Sequence, residues 1–284
     1  MSSLPFVYFG TPDVARETLE RLLDAGFTPA LVVTSPDAPK GRGLALTPSP
    51  VKELALERGI PVITPDKLDD AAIAAIAAHS ARYGICVAYG KIFPEALISA
   101  FPQGVINVHY SLLPKYRGAT PMETALLAGD TTTGVTIQKM VKEMDAGDII
   151  AQRETPIGER ETAKELRPRL IALGAELLVE ALPAFERGEI EPVPQDHSKA
   201  TRAYKIKKAD GELDLAAPAQ ENWHKYRAYA DTIGTYFFSA KGGPASGGEN
   251  KKIRMKITSA EFASGKFRVL RVIPEGKAER DYES

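Results

Sequence analysis

Asn107, His109 and Asp145 are residues of this 284-residue chain whose types and spacing suit joint chemistry. Asn107 and His109 are two apart and follow the apolar run Gly104-Val105-Ile106. An extended backbone there turns both side chains to one face. Asp145 lies in a glycine-bounded stretch, Glu143-Met144-Asp145-Ala146-Gly147-Asp148, between two strand-like runs. An amide donor for an oxyanion, an imidazole that carries a proton and an orienting carboxylate suit acyl-type transfer. No serine or cysteine is placed like a nucleophile.

Taken singly, these residues are ordinary. A histidine after a strand is usually packed or at the surface, and an asparagine at a strand end is usually a turn residue. What lifts them is the following stretch, Ser111-Leu112-Leu113-Pro114-Lys115-Tyr116-Arg117-Gly118, a loop with a rigid proline and two cations. Loops on a rigid sheet are where catalysis commonly sits.

The elements that must position these residues read as an α/β fold. Residues 6–9 form an apolar strand ending in Gly10-Thr11-Pro12, and Val14, Thr18, Leu19, Leu22 and Leu23 then make a helical face. Residues 30–34 are a second strand, so a largely parallel, Rossmann-like sheet is expected. One glycine at the first turn is too few for a dinucleotide fingerprint, which argues against a nicotinamide cofactor. Residues 35–50 form a long polar loop, a length that is usually functional or disordered. Helices are expected over 51–57, 69–79 and 121–128, the last capped by Thr120, and strands over 61–64, 83–88 and 105–108. Residues 135–140 and 149–154 read as an antiparallel pair flanking the Asp145 loop. Thr162 and Glu165 form a capping box for a helix reaching about Arg187. The expected organisation is a catalytic domain over 1–188, a linker over 189–204 and a small basic domain over 205–284. In the last, short strands at 212–215, 235–239, 253–258 and 266–272, a helix at about 220–229 and a hairpin connection at 241–250 predict a small OB-like β-barrel.

Composition narrows the class. Hydrophobic residues make up 44% and charged residues 26%, as in ordinary globular proteins. No apolar run approaches a membrane span and no signal-peptide pattern opens the chain, so a cytoplasmic protein without a membrane partner is expected. The one cysteine, Cys86, sits in an apolar strand and reads as core. One cysteine and four scattered histidines give no metal cluster. The net charge of −1 hides an asymmetry: from residue 199 onward there are 17 basic and 11 acidic residues, against 19 and 26 before. A basic module beside an acidic one suits a polyanionic partner.

The string Asn107 to Pro121, Asn-Val-His-Tyr-Ser-Leu-Leu-Pro-Lys-Tyr-Arg-Gly-Ala-Thr-Pro, resembles the 10-formyltetrahydrofolate-dependent formyltransferases, as do Gly134-Val-Thr-Ile137 and Met144-Asp-Ala-Gly-Asp148. Phe9-Gly-Thr-Pro12 and Ala88-Tyr-Gly-Lys-Ile92 agree in order and spacing. The resemblance implies Asn107, His109 and Asp145 as catalytic residues and 10-formyltetrahydrofolate as co-substrate, with no metal. It places the folate beside Ala88, Tyr89, Gly90, Lys91 and Ile92, with Ser111, Leu112, Leu113 and Pro114 nearby.

The motif is shared by enzymes acting on glycinamide ribotide, sugar nucleotides and methionyl-tRNA. The stretch Thr34-Ser-Pro-Asp-Ala-Pro-Lys-Gly-Arg-Gly-Leu44, followed by Pro48-Ser-Pro-Val-Lys52, resembles the methionyl-tRNA group. Initiator methionyl-tRNA is therefore the expected partner, met by a monomer, and a sugar-nucleotide acceptor is the alternative. Lys40, Arg42 and Leu44 would enter the acceptor end. Lys205, Lys207, Lys208, Lys251, Lys252 and Arg254 would track phosphates, with Arg254 and Lys256 on one strand face. The roughly 80 residues after the linker form a C-terminal domain shorter than is usual in that group.

Overall fold

The computed structural model describes residues 4–40, 44–239 and 252–282. Its strands begin with β1 (Phe6–Gly10), β2 (Leu31–Val33), β3 (Ala38–Lys40), β4 (Ala45–Thr47), β5 (Val62–Ile63), β6 (Tyr83–Val87) and β7 (Val105–His109). They continue with β8 (Arg117–Gly118), β9 (Thr132–Lys139) and β10 (Ile149–Pro156). Seven of them make one sheet in the order β10-β9-β7-β6-β1-β2-β5. β5, β2, β1, β6 and β7 run parallel, and β9 joins β7 antiparallel. This is the expected Rossmann-like sheet, and the whole of β1 and β6 is buried, as parallel strands covered on both faces should be.

The turn from β1 into helix α1 (Asp13–Asp24) needs its glycine. A Cβ on Gly10 would stand 2.6 Å from the Ala15 Cβ. Phe9 anchors one side of the sheet, meeting the rings of Phe93, Tyr89 and Phe101 edge-on at 4.9, 5.8 and 6.1 Å.

The expected helices form as α2 (Pro50–Glu57), α3 (Asp70–Ala77) and α5 (Pro121–Ala128), and α6 runs over Ala163–Glu186. Ser49 and Asp69 cap α2 and α3 by accepting from the amides of Lys52 and Ala72 at 3.1 and 3.0 Å. Thr120 does not cap α5 with its side chain: its hydroxyl donates instead to the Tyr204 carbonyl at 2.6 Å. The five-residue α4 (Glu95–Ser99) was not expected from the sequence.

Within the range 35–50, β3 and β4 pair antiparallel as a short ribbon rather than forming a plain loop. Residues 41–43 lie outside the described residues. Its base is tied by Lys52 Nζ to Asp37 at 2.7 Å and by the Thr34 and Ser49 hydroxyls, also 2.7 Å apart.

The chain divides into two compact units. The first comprises residues 1–117, 134–154 and 169–202, and the second residues 118–133, 155–168 and 203–284. After the two-residue β11 (Arg202–Ala203), the second contains α7 (Ala219–Tyr229), β12 (Thr235–Ser239), β13 (Ile253–Ala263), β14 (Lys266–Pro274) and β15 (Arg280–Asp281). β12 to β15 form a four-stranded antiparallel sheet in sequence order, consistent with a small barrel. Register shifts between Ile257 and Ala260 interrupt the pairing of β13 with β14, the kind of irregularity that increases local twist. Leu213, Phe237, Met255, Ile257 and Val272 fill its core. The expected hairpin connection at 241–250 lies outside the described residues.

Candidate active site

β7 delivers the two sequence-identified side chains. Asn107 lies half-buried opposite Gln138 of β9, and His109 lies buried opposite Thr136. Their separation by two residues on one extended strand is what puts both on one face. Asp145 comes from the loop between β9 and β10, and its Oδ1 stands 3.6 Å from His109 Nδ1.

The ring of His109 is oriented from its other side. Its Nε2 lies 2.9 Å from the carbonyl oxygen of Tyr116. A carbonyl only accepts, so Nε2 carries hydrogen there. Nδ1 is then the nitrogen able to gain and lose a proton, and it is the one that faces Asp145. The sequence suggests Asp145 as the orienting group, whereas Tyr116 supplies the hydrogen bond that fixes the ring.

Both loops at the site carry non-glycine residues in the left-handed region: Tyr116 at φ 63° and Asp145 at φ 54°. Ala88, where β6 ends, has φ 46°. Such conformations cost roughly 1–3 kcal/mol each and persist where the surroundings impose them. At Asp145 the surroundings are identifiable. Gln138 Nε2 donates to Asp145 Oδ1 at 2.8 Å, and Gln195 Nε2 donates to the backbone carbonyls of Asp145 and Gly147 at 2.9 and 2.7 Å. Gly147 has room for nothing larger, since a Cβ there would fall 1.8 Å from the Lys139 carbonyl oxygen.

Residues 111–114 are equally fixed. The Ser111 hydroxyl donates to the Lys115 carbonyl at 2.6 Å, and Thr136 and Gln152 bind the loop backbone at Ser111 and Leu113. Of these four, Ser111 and Leu113 are buried, while Leu112 and Pro114 are partly exposed. In the 88–92 segment the Tyr89 ring belongs to the core and Lys91 Nζ donates to the Pro65 and Asp66 carbonyls. What this segment offers a ligand is the exposed residues Ala88 and Gly90 and Ile92, which is 84% exposed.

Arg42, Gly41 and Gly43 lie outside the described residues, as do Lys251 and the side chain of Lys40. Leu44 stands 71% exposed on the ribbon, as does Leu46. In the second unit Lys205, Lys207, Lys208, Lys252 and Arg254 are all exposed. The Arg254 guanidinium lies over the Tyr236 ring at 3.9 Å, a cation–π stack that holds it on the sheet face with Lys256. Among the described residues no group of three potential metal ligands comes together, and no helix is long and apolar enough to cross a membrane.

The profile of the formyl transferase family matches residues 4–182. The chain belongs to the formyl transferase family. Methionyl-tRNA formyltransferase of Heliobacterium modesticaldum is 45% identical over 221 residues, covering 78% of this chain and 70% of that protein. The enzyme of the same name from Koribacter versatilis is 45% identical over 242 residues, covering 83% and 77%. More distant solved structures share the fold. An N-formyltransferase from Helicobacter canadensis, in complex with folinic acid and dTDP-3-aminofucose, superposes with a TM-score of 0.63 at 19% identity, covering 89% of this chain and 95% of that one. HypX from Aquifex aeolicus, in complex with tetrahydrofolic acid, gives 0.62 at 18% identity, covering 95% and 42%.

Gln138, Gln195 and Arg117 escaped the sequence reading as site residues. Their partners lie up to 80 residues away in the chain, and no local period marks them.

Proposed function

We propose that this chain transfers the formyl group of 10-formyltetrahydrofolate to the α-amine of methionyl-initiator tRNA, with Asn107, His109 and Asp145 as its catalytic residues. The observation that carries the chemistry is His109 Nδ1 standing 3.6 Å from Asp145 Oδ1 at the end of β7, the strand that also carries Asn107 two residues earlier. The choice of acceptor rests on the 45% identity to methionyl-tRNA formyltransferases over about four-fifths of the chain.

The folate supplies an electrophilic formyl carbon. Asn107 donates its carboxamide N–H to the formyl oxygen as negative charge develops there; one such donor is commonly worth roughly 3–4 kcal/mol. His109 takes a proton at Nδ1 as the amine gives it up, and Asp145 stabilises the imidazolium that results. Returning that proton to the departing folate nitrogen restores the neutral ring. Tyr116 holds the ring still throughout, through Nε2.

Backbone groups of the exposed residues Ala88 and Gly90 would meet the polar edge of a pteridine, and Ile92, Leu112 and Pro114 its apolar faces. The ribbon that carries Leu44, with Arg42 between its two strands in the sequence, would meet the tRNA acceptor end. Lys205, Lys207, Lys208, Lys252 and Arg254 would contact phosphates. The test supplies 10-formyltetrahydrofolate together with charged initiator tRNA and an amino-sugar nucleotide. Formyl appearing on methionyl-tRNA supports the reading. Formyl appearing on the sugar alone overturns the acceptor.

A further inference from the structure

We propose that Arg117, Gln195 and Gln138 form a one-way hydrogen-bond relay whose task is to position the Asp145 carboxylate, making Gln138 and Gln195 positioning residues of the reaction. The inference deepens the catalytic reading above and rests on it.

The relay's direction follows from donor and acceptor chemistry alone. Arg117 is 3% exposed, and a guanidinium has only donors. Its Nε and one terminal nitrogen reach Gln195 Oε1 at 3.1 and 2.7 Å, so the oxygen of that carboxamide must face the arginine. The NH2 group of Gln195 is thereby turned the other way. There it meets three acceptors: the carbonyls of Asp145 and Gly147 and, at 3.3 Å, Oε1 of Gln138. That contact fixes the second carboxamide as well. Gln138, 1% exposed, is left pointing its NH2 at Asp145 Oδ1 at 2.8 Å. This is the same oxygen that faces His109 Nδ1. Neither amide can flip without setting donor against donor, so the charge on Arg117 reaches Asp145 as an oriented N–H.

The relay also explains how a strained residue stays in place. Asp145 holds a left-handed backbone at φ 54°, a conformation that non-glycine residues rarely adopt. Gln195 binds the carbonyl of that residue and of the one two further on. Gln195 is itself held to β10 through the neighbouring backbone pair of Val193 and Ile149, at 2.8 and 2.9 Å. Arg117 also meets Glu143 of the same loop at 3.6 Å.

The test is a double-mutant cycle on turnover. Gln138→Met keeps the volume of the side chain and removes its donor. It is expected to lower kcat at least tenfold with KM for donor and acceptor within twofold. In an Asp145→Asn background, the same substitution is expected to change kcat less than threefold, because nothing then remains to position. Gln138→Glu, isosteric with the native residue, keeps the oxygen and loses the N–H, and should repeat the loss even if the Met variant folds poorly. Equal fold-losses in both backgrounds, or native kcat in both Gln138 variants, would overturn the relay alone. Native kcat in Asp145→Asn by itself would overturn the catalytic reading and the relay with it.

Discussion

His109 Nδ1 stands 3.6 Å from Asp145 Oδ1, just beyond hydrogen-bond reach, while the opposite nitrogen of the ring is held at 2.9 Å by the Tyr116 carbonyl. The ring is thus anchored on one side and left open on the other. A group that must pick up a proton and pass it on needs that asymmetry, because a nitrogen locked in a short hydrogen bond is a poor shuttle.

Asp145→Asn isolates the carboxylate's charge. Asparagine tolerates the left-handed backbone at this position, so the loop should keep its shape. Turnover is expected to fall at least about 100-fold, with folate affinity and melting temperature nearly unchanged, since a neutral amide stabilises an imidazolium poorly. Steady-state kinetics and a folate titration check this. An unchanged rate would make Asp145 a loop residue only.

Arg42→Ala and the pair Lys252→Ala with Arg254→Ala should fail differently. Loss of Arg42 is expected to abolish most initiator-tRNA formylation and to blunt selectivity among tRNAs, leaving folate binding and stability intact. Loss of Lys252 and Arg254, both exposed at the start of β13, should weaken all tRNAs alike. It should also make the slope of log K against log salt shallower, by about one for each phosphate the variant no longer neutralises. Binding isotherms at several salt concentrations separate the two.

Cys86 gives a prediction in pH. Burial pushes its thiol from an ordinary 9.0 up to about 12, partly offset by a hydrogen bond from the Tyr89 backbone. Above pH 9 the unfolded chain sheds a proton that the folded chain keeps, so this group's contribution to stability declines as pH rises from about 9 towards 12. At about pH 9 the folded protein should alkylate at less than roughly a tenth of the denatured rate, because the thiolate is the reacting form. Equal rates would place the thiol outside the core.

Much of the fold was legible because its signals are local. The strand-end turn at Gly10, the pairing of Thr162 with Glu165 where α6 begins, and the two-residue spacing of Asn107 and His109 each act within a few positions. The rest depends on partners distant in the chain. Nothing near Gln195 announces that it binds carbonyls about 50 residues away, and its surroundings, rich in proline and polar residues, read only as a linker. The ribbon of β3 and β4 hid for another reason. Two three-residue strands, with Pro39 inside one, lack the alternation that marks a strand. Thr120 sits where a cap belongs, but its hydroxyl goes to Tyr204, a competition no sequence pattern reveals.

The central claim is that the Asn107–His109 face of β7 carries out formyl transfer. The most direct measurement is the single-turnover rate of methionyl-tRNA formylation by the native protein, Asn107→Ala and His109→Ala, each at saturating donor. The account predicts a loss of about 100-fold or more in each variant, with melting temperature and folate affinity close to native. Near-native single-turnover rates in both variants would contradict it.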